Sequence, residues 1–169
     1  MKLWNWFKAL SSGRPQEQAA LLKDLDHSHC QCGEAVHNGL DFLEAIRAHN
    51  AWKIKLKKAI ADGTISQFDA AEIRRDDRCF LGRWLYSEGL EHYGDEAVLQ
   101  TIIDVHRQFH QCAAEVVDTA QGGQLNRAAA LLESGEYAQY SVDISALLGK
   151  LYLRFSQRDA NHSPSAALN

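Results

Sequence analysis

Four side chains of the types that bind transition metals stand at helical or helix-starting positions of this sequence: His49, Cys79, His106 and His110. His106 and His110 are four residues apart, so both imidazoles project from the same face of a helix. Cys79 stands where a short helix would begin, and there the helix dipole favours the thiolate that binds metal. One thiolate and three imidazoles from three helices would make a closed tetrahedral zinc site.

Each of these residues also has a purely structural interpretation. A single histidine on an apolar helix face is usually a hydrogen-bonded core residue, and an isolated cysteine is usually a small buried hydrophobe. Here two histidines share one apolar stripe, and His49 lies in the stripe of another helix. That combination favours a shared metal. Cys112 points away from the histidine face by helical geometry, and we interpret it as a packing residue.

Apolar residues at helical spacing predict the elements that position these side chains. The predicted helices cover residues 40–61, 79–87, 95–120 and 125–157, the last of them broken near Ser134 and Gly135. Behind Cys79, Asp76 and Asp77 are candidate N-caps. Both prolines lie near the ends of the chain, which leaves residues 16–163 free of proline. The prediction is an all-α fold, an antiparallel four-helix-type bundle with additional short helices.

The sequence divides into three predicted parts. Residues 1–36 form an N-terminal extension with short helices, residues 37–158 form the zinc-binding bundle domain, and residues 159–169 form a flexible tail. The extension contains a cluster with the composition of a second metal-binding loop: His27, His29, Cys30 and Cys32. The alternative for this cluster is a plain polar loop.

Composition and charge exclude several classes of protein. The formal net charge is −4 and is spread along the chain, and no basic patch with interleaved aromatics predicts nucleic-acid binding. No apolar run predicts a transmembrane segment, and the N-terminus lacks the features of a signal peptide. The cysteine spacing does not resemble a disulfide framework. We therefore expect a cytoplasmic protein in a reducing compartment.

Three motifs together resemble those of the chemoreceptor zinc-binding family. They are His49 followed by Trp52-Lys53, then Cys79-Phe80-Leu81-Gly82-Arg83-Trp84, then the pair His106 and His110. Their order and spacing agree with the family over residues 40–155. The resemblance implies a Zn²⁺ ion held by one cysteine and three histidines: His49, Cys79, His106 and His110. It also implies a set of motif residues around the ion: Trp52, Asp76, Asp77, Gly82 and Trp84.

The same resemblance implies a function in bacterial signal transduction rather than catalysis. Family domains couple zinc or oxidant sensing to chemotaxis receptors or to cyclic-di-GMP synthesis. Since no signalling domain is recognisable in this sequence, we expect the output to pass to a separate partner, a chemoreceptor or a cyclic-di-GMP enzyme, or to a second copy in a homodimer. Oxidation of Cys79 would weaken zinc binding and act as the redox switch.

Two alternatives to a sensor stay open. The zinc could serve only to stabilise the fold, or the bundle could house a metal-dependent enzyme. A zinc hydrolase of the H-E-x-x-H kind would need a glutamate after its first histidine, where this chain has Arg107. A di-iron bundle would need bridging carboxylates, whereas Lys53 stands four residues after His49.

Overall fold

A two-stranded hairpin opens the part of the chain that the structure, a computed structural model, describes: residues 36–162, with side chains described for residues 36–157. Strands β1 (Val36–His37) and β2 (Leu40–Asp41) pair antiparallel. Asn38 and Gly39 both have positive φ, as a two-residue hairpin turn with the favoured twist requires. The sequence pattern predicts helix from residue 40, which is two residues before the first helix begins.

Four long helices form the body of the described domain. They are α1 (Phe42–Ala61), α5 (Ala97–Gln121), α6 (Leu125–Ser134) and α7 (Glu136–His162). Helix α1 begins after Asp41 because that carboxylate accepts a hydrogen bond from the backbone N–H of Glu44 at 2.9 Å. Gly135 separates α6 from α7, which confirms the predicted break. Helix α7 reaches His162, the last described residue, five residues beyond the predicted end.

Short helical elements connect α1 to α5. They are a 3₁₀ turn (Ile65–Gln67), α2 (Ala70–Arg74), α3 (Phe80–Trp84), a π-helical turn (Leu85–Gly89) and α4 (Leu90–Tyr93). Helix α2 starts because Asp69 accepts from the N–H groups of Ala71 and Glu72. The sequence predicts one helix over residues 79–87; the observed helix is shorter, and the wider π-helical turn follows it.

Helix α5 packs against α2, α6 and α7, and α1 packs against α6 and α7. The apolar stripe predicted for α5 is buried along its whole length, from Leu99 to Val117. In α1 the buried face contains His49 as predicted, together with Phe42 and Leu56, whereas Ile46 and Ile60 are only partly buried. The all-α fold is confirmed. None of the described helices has the length and apolarity needed to cross a bilayer.

Some of the predictions fall outside the described residues. These concern the N-terminal extension with its cluster of His27, His29, Cys30 and Cys32, and the end of the tail after residue 162. They stay predictions.

Candidate metal centre

Four buried side chains converge between α1, α5 and the start of α3: His49, Cys79, His106 and His110. Each offers one ligand atom, and these atoms all lie within 4.8 Å of one another. The four residues are between 0% and 5% exposed, so the cluster is closed to solvent. Among the side chains that the structure describes, this is the one group of three or more histidine, cysteine or acidic residues arranged to hold a metal ion.

Two of the histidines are oriented by backbone carbonyl groups. His49 Nδ1 lies 2.7 Å from the carbonyl oxygen of Ala45, one turn earlier in α1. His110 Nδ1 lies 2.5 Å from the carbonyl oxygen of Ile73, in α2. When each Nδ1–H donates to its carbonyl, the tautomer is fixed and Nε2 is left as the lone-pair donor. Histidines that bind metal commonly have this support.

His106 lies at the centre of the cluster and differs from the other two histidines. Its Nε2 is 3.2 Å from Cys79 Sγ, and its ring packs edge-on against those of His49 and His110, with centroids 5.4 and 4.6 Å away. Its Nδ1 is fully buried and has no hydrogen-bond partner among the described residues. A buried polar nitrogen without a partner is costly, and coordination of a metal at Nε2 would leave that cost at Nδ1 unchanged.

Cys79 is itself the N-cap of α3, the position for which the sequence pattern favours Asp76 or Asp77. Its Sγ accepts a hydrogen bond from the backbone N–H of Gly82 at 3.2 Å. The backbone turns so closely here that the Asp76 carbonyl lies against the Gly82 Cα, and Sγ is 3.8 Å from that carbonyl oxygen. The N-cap position therefore aims the sulfur at the histidines.

Burial controls the protonation of the cluster in the metal-free chain. It lowers the pKa of His49 to about 4, and it also lowers the pKa values of His106 and His110. Burial raises the pKa of the Cys79 thiol to about 12, although the Gly82 N–H opposes that effect. The helix terminus alone does not make Cys79 a thiolate. Without a metal, the site holds three neutral imidazoles and a neutral thiol at pH 7.

Zinc binding at pH 7 should therefore release about one proton per site, since only Cys79 must lose a proton to become a ligand. The measurement is calorimetric titration of the metal-free protein with zinc in two buffers of different ionisation enthalpy. Zinc binding to Cys79→Ser should release almost no protons, because a serine hydroxyl stays protonated. Release near zero from the wild-type protein would mean that Cys79 is already ionised or is not a ligand.

The donor set suits zinc. Sulfur and imidazole nitrogen are the ligands of structural zinc sites, with bonds of about 2.0–2.3 Å and hence ligand atoms about 3.3–3.6 Å apart. The separation of 3.2 Å between Cys79 Sγ and His106 Nε2 already falls close to this range. The longest separation, up to 4.8 Å, needs a contraction of about 1 Å that side-chain rotation can supply. The cluster fits a four-coordinate zinc ion.

The two tryptophans of the motifs fix the elements that carry the ligands. Trp52 is buried on α1 one turn after His49, and its ring packs edge-on against Phe68 at 6.3 Å. The Nε1–H of Trp84 donates to the Asn38 carbonyl at 2.8 Å and so ties α3 to the hairpin. Neither tryptophan belongs to the ligand cluster.

The two aspartates of the motif do different things. Asp77 is exposed and pairs with Arg75 at 3.0 Å. Asp76 is mostly buried at its carboxylate and accepts a hydrogen bond from the Tyr86 hydroxyl. Tyr86 and its neighbour Arg107 were not among the functional candidates from the sequence. Their separations from Asp76 follow no helical repeat, so only the fold reveals the contact.

One of the comparisons with known proteins, that with protein families, agrees with this geometry. No curated protein and no solved structure matches the chain. The family model of the chemoreceptor zinc-binding domain matches residues 49–117, a stretch that begins at His49 and includes the other three residues of the cluster. Residues 49–117 are therefore similar to the chemoreceptor zinc-binding domain.

Proposed function

We propose that this domain is a zinc-binding regulatory module and that His49, Cys79, His106 and His110 hold the ion. The observation that carries the proposal is the convergence of four buried ligand atoms within 4.8 Å. Four protein ligands fill a tetrahedral zinc and leave no position for a catalytic water. No carboxylate joins the cluster among the described residues, which also argues against a di-iron enzyme.

The signal in this proposal is the loss of zinc or the oxidation of its thiolate ligand. With zinc held by Cys79 and the three histidines, the Cys79 thiolate would attack the chlorine of hypochlorous acid and release hydroxide. Hydrolysis of the sulfenyl chloride would then give a sulfenic acid, a proton and chloride. A sulfenic acid is a poorer zinc ligand, so three neutral imidazoles remain. The segment that carries Cys79 then loses its metal link to α1 and α5.

The output of such a module passes to another protein. We propose a bacterial signalling partner in the cytoplasm, either a chemoreceptor or an enzyme of cyclic-di-GMP metabolism, with a homodimer as the other arrangement. The name of the matched family supports the first of these. A conformational change confined to one short segment is the kind of signal that a docked partner can detect.

A zinc ion with a purely structural role is the second candidate function. It is favoured by the burial of Cys79, whose side chain is only 5% exposed and is therefore shielded from oxidants. The two functions share all of their ligands and differ only in the reactivity of Cys79. Oxidant-dependent release of zinc separates them.

The test is zinc release from the loaded protein in a small excess of hypochlorous acid, followed with a chromogenic chelator. We expect the wild-type protein and Cys112→Ser to release zinc together with formation of a sulfenic acid at Cys79. Cys112 is the matched control because it is a partly buried cysteine on α5 outside the cluster. Zinc that stays bound while Cys112 is oxidised would establish the structural role.

The ligand assignment has its own test. The wild-type chain should bind one zinc at this site, and His106→Ala should lower the affinity by at least about 100-fold, since even the residues that support a ligand contribute 10–100-fold. His92→Ala, at an exposed histidine on α4, should leave the affinity unchanged. Metal analysis and competition with a chelator measure both. A second equivalent that persists in His106→Ala would point to the cluster of His27, His29, Cys30 and Cys32.

A further inference from the structure

Three polar side chains form a latch on the outside of the segment that carries Cys79: Asp76, Tyr86 and Arg107. The Tyr86 hydroxyl donates to Asp76 Oδ2 at 2.5 Å. Arg107 Nη2 donates to the Tyr86 hydroxyl at 3.4 Å, and its Nε lies 4.0 Å from Asp76 Oδ2. Asp76 precedes α3, Tyr86 lies in the π-helical turn, and Arg107 follows His106 on α5. The latch therefore joins all three parts of the chain around the cysteine.

The position of the latch relates it directly to the sulfur. The hydrogen bond between Asp76 and Tyr86 closes a loop of backbone that contains Cys79 and the whole of α3. Within that loop, the Asp76 carbonyl packs against Gly82, whose N–H donates to the sulfur. A shift of Asp76 would therefore shift the N-cap turn. A π-helical turn is an uncommon element that frequently marks functional sites, and here it carries Tyr86.

The latch does not depend on the metal. None of its three side chains belongs to the ligand cluster, and all of its contacts form between protein groups. The Asp76 side chain is only 17% exposed, so its carboxylate is shielded from competing water on most sides. Hydrogen bonds to a charged, partly buried acceptor are stronger than those between neutral surface groups. The latch can therefore persist after the bond between Cys79 and zinc is broken.

We propose that Tyr86 and Asp76, anchored by Arg107, are positioning residues that keep Cys79 against the histidines when zinc is absent. This inference rests on the proposed function, because it assigns the latch a role in rebinding of zinc and in access of oxidant to the sulfur. The latch limits opening of the segment to rare events. The latch thus controls the rate at which an oxidant reaches the Cys79 thiol and the rate at which Cys79 returns to the histidines.

The experiment measures access to the thiol in the full-length, metal-free protein. Wild type and Tyr86→Phe are treated with iodoacetamide under native conditions, and alkylation of each cysteine is followed by peptide mass spectrometry. Because loss of one hydrogen bond to a charged group changes an opening equilibrium by about tenfold or more, Cys79 should react about tenfold faster in Tyr86→Phe. Cys112, on the same helix as Arg107 but outside the latch, should react at the wild-type rate.

A matched substitution separates the latch from general destabilisation. Tyr140→Phe removes a hydroxyl from a partly buried tyrosine on α7 that is not part of the latch, and should leave the rate at Cys79 unchanged. The proposal would be overturned if alkylation of Cys79 and Cys112 were accelerated equally in Tyr86→Phe. It would also be overturned if the rate of alkylation at Cys79 were unchanged. Because these rates come from metal-free protein, the result is independent of whether the wild-type chain binds zinc, which the titrations above decide.

Discussion

Gly82→Ala is expected to lower both the stability of the domain and its affinity for zinc. A Cβ atom at this position would lie 1.7 Å from the carbonyl oxygen of Asp76 and 3.1 Å from Cε1 of His106. The first contact is with backbone, so no rotation of a side chain can relieve it. The turn before α3 has to move, and Cys79 moves with it. We expect a loss of about 3 kcal/mol in the free energy of unfolding, at the upper end of overpacking effects.

The effect on zinc should be at least tenfold in affinity, because displacement of a ligand by about 1 Å destroys the geometry of a tetrahedral site. Denaturant unfolding and chelator competition measure the two quantities. Gly149→Ala is the matched control: Gly149 lies in the middle of α7, and a Cβ added there would meet nothing within 4 Å. The free energy of unfolding of Gly149→Ala should rise by about 0.5–1 kcal/mol, because alanine is more stable than glycine in the interior of a helix. Wild-type zinc affinity in Gly82→Ala would contradict the packing argument.

The elements that follow a helical repeat could be predicted from the sequence. The stripe of α5 placed His106 and His110 on the buried face because every third or fourth residue around them is apolar. His49 followed from the same argument in α1. The carbonyl of Ala45 that supports His49 is also a consequence of helix geometry, since it lies one turn earlier on the same helix.

The contacts between distant segments could not be predicted in this way. The hairpin before α1 has strands of only two residues, too short to show an alternating pattern. The Ile73 carbonyl reaches His110 from a helix of five residues, across a separation that no local rule specifies. The N-cap of α3 was misassigned because aspartate is the usual capping residue, whereas here the sulfur of Cys79 accepts the hydrogen bond.

Removal of zinc should lower the thermal stability of the domain strongly. An ion that binds only the folded chain stabilises it by about 4 kcal/mol when free zinc is about a thousandfold above its Kd. For a chain of this length, that difference corresponds to a Tm shift of about 8–16 °C. Without the ion, the folded state must bury three neutral imidazoles and a thiol that no metal bond stabilises.

The measurement is thermal unfolding of the loaded and the chelator-treated protein, with added zinc restoring the higher Tm. His106→Ala should show a low Tm that zinc hardly changes, whereas His92→Ala should show the full shift. Hydrogen exchange should locate the change: after chelation, amides of α3 and the π-helical turn should exchange faster, because zinc joins them to α1 and α5. Amides between α6 and α7 should change little, since those helices supply no ligand. A Tm that moves by less than about 2 °C on chelation would mean that the four residues hold no stabilising ion.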